Sequence, residues 1–372
     1  MEQEPQPHGS TVGVVIRLAA MTHDLTDPLR HHGDVDAEPG LLDFAVNVRG
    51  ERPPRWLLDR LAAALDRIGR YPAAQDDERA RSTVAARHGR RAEEVVVLAG
   101  AAEGFALLPN LRPRLAAVVH PSFTEPEAAL RDAGVAVHRV VLDADDGYRL
   151  RPELVPADAD LVVVGNPTNP TSVLHPRSVL CSLARPGRVL LVDEAFLDVV
   201  PDEAESLAGA AHLPGLIVLR SLTKTWALPG LRAGYALAEP VLLAALGAGR
   251  PQWPVGTLVL EAVTACSEPL ALAEAALVAA ELTGHRKWLA EALAALPGVS
   301  VHGPAAAPFL LLRVPDGERL RAGLRGRGIA VRRGDTFPGL GPDHLRVAVR
   351  SPEQAAPLLA ALRAELTIGV IA

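Results

Sequence analysis

Lysine occurs at only two of the 372 positions, Lys224 and Lys287; the other 36 of the 38 basic residues are arginine. Arginine can take over most surface roles of lysine. It cannot form a Schiff base, because a guanidinium stays protonated and offers no free amine. Lys224 lies in Ser221-Leu222-Thr223-Lys224-Thr225-Trp226-Ala227-Leu228-Pro229-Gly230-Leu231-Arg232, among Leu and Trp rather than charges. It is therefore a candidate covalent anchor for an aldehyde cofactor. Lys287, in His285-Arg286-Lys287, reads as a surface lysine. Other chemically loaded segments are Gly100-Ala101-Ala102-Glu103, Pro121-Ser122-Phe123, Asn166-Pro167-Thr168-Asn169-Pro170 and Asp193-Glu194-Ala195-Phe196.

Each of these segments follows a short apolar run. The runs are 95–98, 115–119, 135–141, 161–164, 189–192, 216–219 and 233–237, and helical segments separate them. Seven such runs, several continuously apolar, predict an α/β fold with a mostly parallel seven-stranded sheet covered by helices on both faces. Ligands of such sheets sit at the carboxyl ends of the strands, where the loaded segments fall. After Pro254 Ala-rich helices run to about Leu296. Mixed strands and a helix near 318–327 follow, which predicts a smaller α+β domain. The expected division is an N-terminal arm over 1–41, a large domain over 42–254 and a small domain over 255–372.

The composition, 49% hydrophobic and 22% charged with a net charge of −6, is that of a globular protein. The arginines are spread along the chain and outnumbered by 44 acids, so no basic stripe for nucleic acid emerges. No apolar run reaches the length of a membrane span. The start Met1-Glu2-Gln3-Glu4-Pro5 is acidic where a signal peptide is basic, which points to the cytoplasm. The first twenty residues read as a disordered extension, or translation begins at Met21. Cys181 and Cys266 have no metal-ligand spacing and read as buried hydrophobes, and no metal site is expected.

Together these motifs resemble the fold type I pyridoxal-phosphate enzymes of aminotransferase class I/II, over about Asp43 to Leu362. Ser-x-Thr-Lys followed by Gly-Leu-Arg-Ala-Gly-Tyr, Asn-Pro-Thr-Asn-Pro-Thr and Asp-Glu-Ala-Phe carry the resemblance. It implies that Lys224 holds the cofactor aldehyde and then moves protons at the substrate Cα. Asp193 would face the pyridine nitrogen and keep it protonated; its plainer reading is an N-cap. Asn169 would bond the phenolic oxygen rather than simply form an Asn-Pro turn, and Phe123 would stack on the ring rather than pack in a core. Ala101 and Ala102 backbone N–H groups, with Ser221, Thr223 and Arg232, would hold the phosphate. Tyr71 resembles a tyrosine sent to the neighbouring subunit's phosphate, which implies a homodimer with shared sites. Arg346 would clamp a substrate carboxylate; a surface-strand arginine is the alternative.

Phe196 stands where many members have a tyrosine whose hydroxyl touches the phenolic oxygen. With His32-Gly33-Asp34 and Leu42-Asp43-Phe44-Ala45-Val46-Asn47, this resembles the threonine-phosphate decarboxylase and histidinol-phosphate aminotransferase branch. His32, Asn47, Arg346 and Arg350 are then substrate-binding candidates, with Arg49 beside His32 and Arg350 for a substrate phosphate. Asp34 departs from that branch's His-Gly-Gly. The preferred expectation is decarboxylation of threonine O-3-phosphate. Transamination of histidinol phosphate or an aromatic amino acid is the alternative, and a catalytically idle cofactor-binding protein is a third reading.

Overall fold

The computed structural model describes residues 27–371. The expectation for the first twenty residues lies outside them. The first strand is β1 (Leu42–Asp43), and the large sheet then takes β2 (Val95–Leu98), β3 (Leu115–His120), β4 (Ala136–Val141), β5 (Leu161–Gly165), β6 (Val189–Asp193), β7 (Leu216–Ser221) and β8 (Gly234–Leu237). Their order across the sheet is β2-β8-β7-β6-β5-β3-β4, and only β8 runs against its neighbours. The seven apolar runs become these seven strands, to within one or two residues at their ends.

The period of two along each strand sorts the side chains into two cores. Val162 and Val164 on β5, Leu190 and Val192 on β6, and Leu216 and Val218 on β7 face one layer. Helices Ala74–His88 and Thr257–Cys266 close that layer. Leu161, Val163, Leu191, Ile217 and Leu219 face the other layer, with Ala101 and Phe105 of helix Ala101–Ala106. The same alternation sends Asp193 and Ser221 to the second face. It sends Glu194 and Arg220 to the first. There Arg220, fully buried, donates to Glu194 at 2.9 Å and to Asp198 at 2.7 Å. These buried pairs tie together the strand ends that carry the candidate residues.

The remaining strands are β9 (Ser300–Val301), β10 (Phe309–Arg313), β11 (Ile329–Ala330), β12 (Arg332–Arg333) and β13 (His344–Ala348). An antiparallel sheet of order β12-β13-β10-β9 packs on helices Gly317–Gly326 and Pro352–Ile371. β1 pairs with β11, and Phe44 lies in the core of this second unit. The 26-residue helix Pro269–Ala294 serves both cores: Ala271 and Ala275 join the large sheet, and Val278, Leu282, Leu289 and Leu293 join the small one. Packing therefore changes core inside this helix, not at residue 254. Among the described residues no single helix is long and apolar enough to cross a membrane. One bent pair, Thr257–Cys266 with Pro269–Ala294 at 68°, passes by length and composition alone.

Candidate active site

β7 ends at Ser221, and the chain turns at once. Leu222 and Trp226 are buried on either side of Lys224, and Trp226 packs edge-on against Trp56 with ring centroids 5.5 Å apart. Two buried apolar anchors four residues apart fix the backbone between them. The Lys224 carbonyl accepts the Arg49 N–H at 3.0 Å. Its side chain enters a cavity of about 550 Å³. Burial pushes the amine down to about 8, with Arg346 and Arg232 adding repulsion and Asp34 and Asp193 opposing it. Free amine is thus available much closer to neutral pH than for an exposed lysine.

Asp193 ends β6 beside β5 and β7, in register with Gly165 and Leu219. It is enclosed, and burial raises its carboxyl to about 7 against the Ala195 N–H, which donates to it at 3.0 Å. A carboxyl held up by burial gains most from a cationic partner, so the position suits a protonated ring nitrogen. The cavity also takes in Asn169 after β5, Phe123 after β3, and Ala101, Ala102, Ser221, Thr223 and Arg232. Ser221 Oγ and Thr223 Oγ1 lie 2.8 Å apart.

Gly100 caps helix Ala101–Ala106 at φ +80°, and a Cβ there would sit 3.0 Å from Arg232 Nη2. Only glycine leaves open the space between that guanidinium and the backbone of the turn. Asn47 Oδ1 is buried with no hydrogen-bond partner among the described residues. The cradle beside Gly100, the buried carboxyl and the depressed lysine fit pyridoxal phosphate at three separate points. Arg232, Ser221, Thr223 and the N–H groups of Ala101 and Ala102 would hold its phosphate.

The small sheet supplies the opposite wall. Arg346 on β13 is 4% exposed and donates to Asn169 Oδ1 at 2.6 Å and to the Ala45 carbonyl. Its guanidinium lies over the Phe309 ring, and Phe309 packs edge-on against Phe196. Arg346 Nε has no partner among the described residues. Directly across the strand pair stands Arg332 on β12, 2% exposed and also in the cavity wall. Arg332 donates to the His31 carbonyl at 2.7 Å and to Thr336 Oγ1 at 2.6 Å, and Asp36 lies 3.6 Å away. Burial, with the repulsion of Arg332, lowers Arg346 to about 9, and burial lowers Arg332 to about 10.

The proposed phosphate group of His32, Arg49 and Arg350 does not converge. His32 lines the main cavity, tilts against Phe123 at 5.3 Å and bonds Glu125. Arg49 and Arg350 instead line a second cavity of about 410 Å³, which shares Lys224, Asn47 and Phe196 with the first. The Arg350 guanidinium is taken up by the carbonyls of Val46 at 3.0 Å, Val349 at 3.2 Å and Asp43 at 3.3 Å. Tyr71 is outside the cavity: it is 72% exposed and stacks on Trp253 with centroids 4.2 Å apart. Arg332 was not singled out by the sequence. In a chain with 36 arginines nothing marks one Arg in Arg332-Arg333, and only the register opposite Arg346 reveals it.

The chain resembles known proteins over most of its length. The family model "Aminotransferase class I and II" matches residues 40–362. A histidinol-phosphate aminotransferase of Mycobacterium tuberculosis is 55% identical over 343 residues, covering 91% of this chain and 92% of that protein. The threonine-phosphate decarboxylase of Salmonella typhimurium is 34% identical over 344 residues, covering 88% and 92%. The structure of a histidinol-phosphate aminotransferase from Clostridium acetobutylicum superposes with a TM-score of 0.81 at 25% identity, covering 88% of this chain and all of that one. The chain belongs to the class I and II aminotransferases, and it is a pyridoxal-phosphate-dependent enzyme of fold type I.

Proposed function

We propose that the enzyme is a cytoplasmic, homodimeric transaminase of a phosphorylated amine, with histidinol phosphate as the substrate class. The observation that carries this reading is the cross-strand pair of Arg332 and Arg346. Like charges directly opposite on a sheet destabilise it, the more so when both are buried. Asp36, 3.6 Å from Arg332, offsets part of that repulsion; an anion at Arg346, whose Nε has no partner among the described residues, would offset the rest. Arg232 stands apart at the cofactor-phosphate cradle, which leaves this pair for substrate: a phosphate in one half-reaction and the carboxylate of an oxo acid in the other. The M. tuberculosis relative at 55% identity bears the name of a histidinol-phosphate aminotransferase, which favours transamination over the decarboxylation preferred from sequence alone.

When bound, pyridoxal phosphate supplies an aldehyde that takes up the substrate nitrogen and a ring that draws electrons from Cα. This chain's residues do the rest. Lys224, with its amine pushed down to about 8, would take the proton from Cα and give one back from the same side as the exchange completes. Asp193 would keep a proton at the ring nitrogen. Arg346, braced by Phe309 and Asn169, would hold the substrate's anionic group and so orient its Cα–H for proton removal. Cofactor-loaded enzyme should turn to its amine form with L-histidinol phosphate and release the matching keto product. Carbon dioxide from L-threonine O-3-phosphate, without conversion of the cofactor, would establish the decarboxylase instead.

A further inference from the structure

We propose, resting on the transaminase reading above, that Asp34 sets the specificity of this cavity. Its carboxylate accepts the ring N–H of a heteroaromatic phosphorylated amine and turns away substrates that carry a second anion beside the phosphate.

Three carboxylates line the cavity: Asp34, Glu125 and Asp193. Glu125 is engaged by His32, and Asp193 lies enclosed at the end of β6, bonded to the Ala195 N–H. Asp34 makes no hydrogen bond or ion pair with another described residue, yet its charge reaches Lys224. Its position is fixed by its neighbours. A Cβ on Gly33 would sit 2.7 Å from the Ala45 carbonyl oxygen and 3.5 Å from Arg346 Nη2, so the chain presses against the cavity wall there. On one side His32 packs on Phe123. On the other, Asp36 faces Arg332 and Arg321, each at 3.6 Å.

An exposed carboxylate without a partner costs little while the cavity holds water. A substrate that displaces the water must either pair with it or leave it stranded. The substrate's own amine is consumed at the Lys224 end, so the partner has to be a second donor. An imidazole ring offers an N–H, and its pKa near 6.5 lets it take on charge beside a carboxylate. Threonine phosphate offers no ring donor, and its carboxylate adds a second anion to the phosphate. Arg332 and Arg346 can neutralise that extra charge only against the repulsion of Asp34.

The test compares L-histidinol phosphate, L-phenylalaninol phosphate and L-threonine O-3-phosphate on the holoenzyme. The second compound keeps the amine, the phosphate and the ring bulk but lacks the ring N–H. Asp34→Asn should lose about 10- to 100-fold in kcat/KM for histidinol phosphate, mainly through KM, the scale of one charge-assisted hydrogen bond. Phenylalaninol phosphate should lose much less, only what the Lys224 amine loses with the Asp34 charge. Binding is read separately in cofactor-loaded Lys224→Ala, which lacks the proton-moving amine. There calorimetry should show that Asp34→Asn weakens histidinol phosphate and tightens threonine phosphate, and Asp34→Gly should repeat the pattern. Equal losses for the two ring compounds, or no tightening of threonine phosphate, overturns the role of Asp34. A wild-type enzyme inert to histidinol phosphate removes the transaminase reading and Asp34's role with it. Wild-type turnover with an unchanged preference in Asp34→Asn removes Asp34's role alone.

Discussion

Arg346 on the small sheet and Asn169 after β5 of the large one are joined by a single hydrogen bond of 2.6 Å. It links the residue that would hold substrate to one that would touch the cofactor. With its amide oxygen occupied by Arg346, Asn169 has its amide nitrogen left as a donor, as the proposed cofactor contact requires. Arg346→Lys removes both the fork and this link. It should cost about 100-fold in kcat/KM, as expected for losing a charged hydrogen bond in a buried site. Asn169→Ala should cost about 10-fold. Steady-state kinetics check both, and a fall in melting temperature without a kinetic loss would show that the bond only braces the fold.

The buried amine of Lys224 makes a stability prediction that does not involve catalysis. Its pKa falls from 10.5 to about 8 on folding, chiefly through burial. The folded state therefore binds fewer protons than the unfolded chain between these values, and stability rises with pH across that window. Below about pH 8 the buried ammonium costs stability in full. Cofactor-free Lys224→Met should melt higher than wild type at about pH 7, and the gain should shrink as pH rises toward 10.5. Thermal melts across that range decide it; a gain that does not vary with pH would place the amine in water.

Asp193 gives the mirror case. Its carboxyl rises from 3.8 to about 7 through burial, only partly offset by the Ala195 N–H and Lys224. An acid with a raised folded pKa leaves stability intact below 3.8 and draws it down as pH climbs to 7. Cofactor-free Asp193→Asn should therefore be more stable than wild type at about pH 8 and no different near pH 3.8. The loaded variant should nevertheless lose about 100- to 1000-fold in kcat, the scale on which one preorganised charge acts. Stability gained with activity lost is the signature of a residue kept for chemistry.

The large sheet could be read from sequence because its strands are buried on both faces, and a continuous β-branched run suits such a strand better than a surface helix or a loop. Part of the main cavity's lining was equally legible. Lys224, Asp193, Asn169 and the Gly100 turn each follow a strand, and strand ends of one sheet meet at one edge. The substrate end was not. Arg346 was found by its strand motif, but Arg332 depends on the antiparallel register of β12 and β13, and register leaves no mark on a single sequence. Arg350 follows a strand in the same manner as a binding residue. Its donors are spent on carbonyls of residues 43 and 46, more than 300 positions away in the chain. The change of core within Pro269–Ala294 was hidden because helix periodicity does not say which core a face meets.

Tyr71 tests the dimer. It stacks on Trp253, and the two rings are 72% and 51% exposed. Two stacked, exposed aromatics are what the proposed dimer would cover. If the tyrosine serves the neighbouring subunit's cofactor phosphate, Tyr71→Ala damages the partner's site and Lys224→Ala damages its own. In a hybrid of the two variants one site then carries both defects and the other carries none. Co-refolding Tyr71→Ala with Lys224→Ala should give activity that exceeds the two parents combined, and light scattering should report a dimer. A mixture no more active than the sum of its parts would confine Tyr71 to its own subunit or remove it from the site.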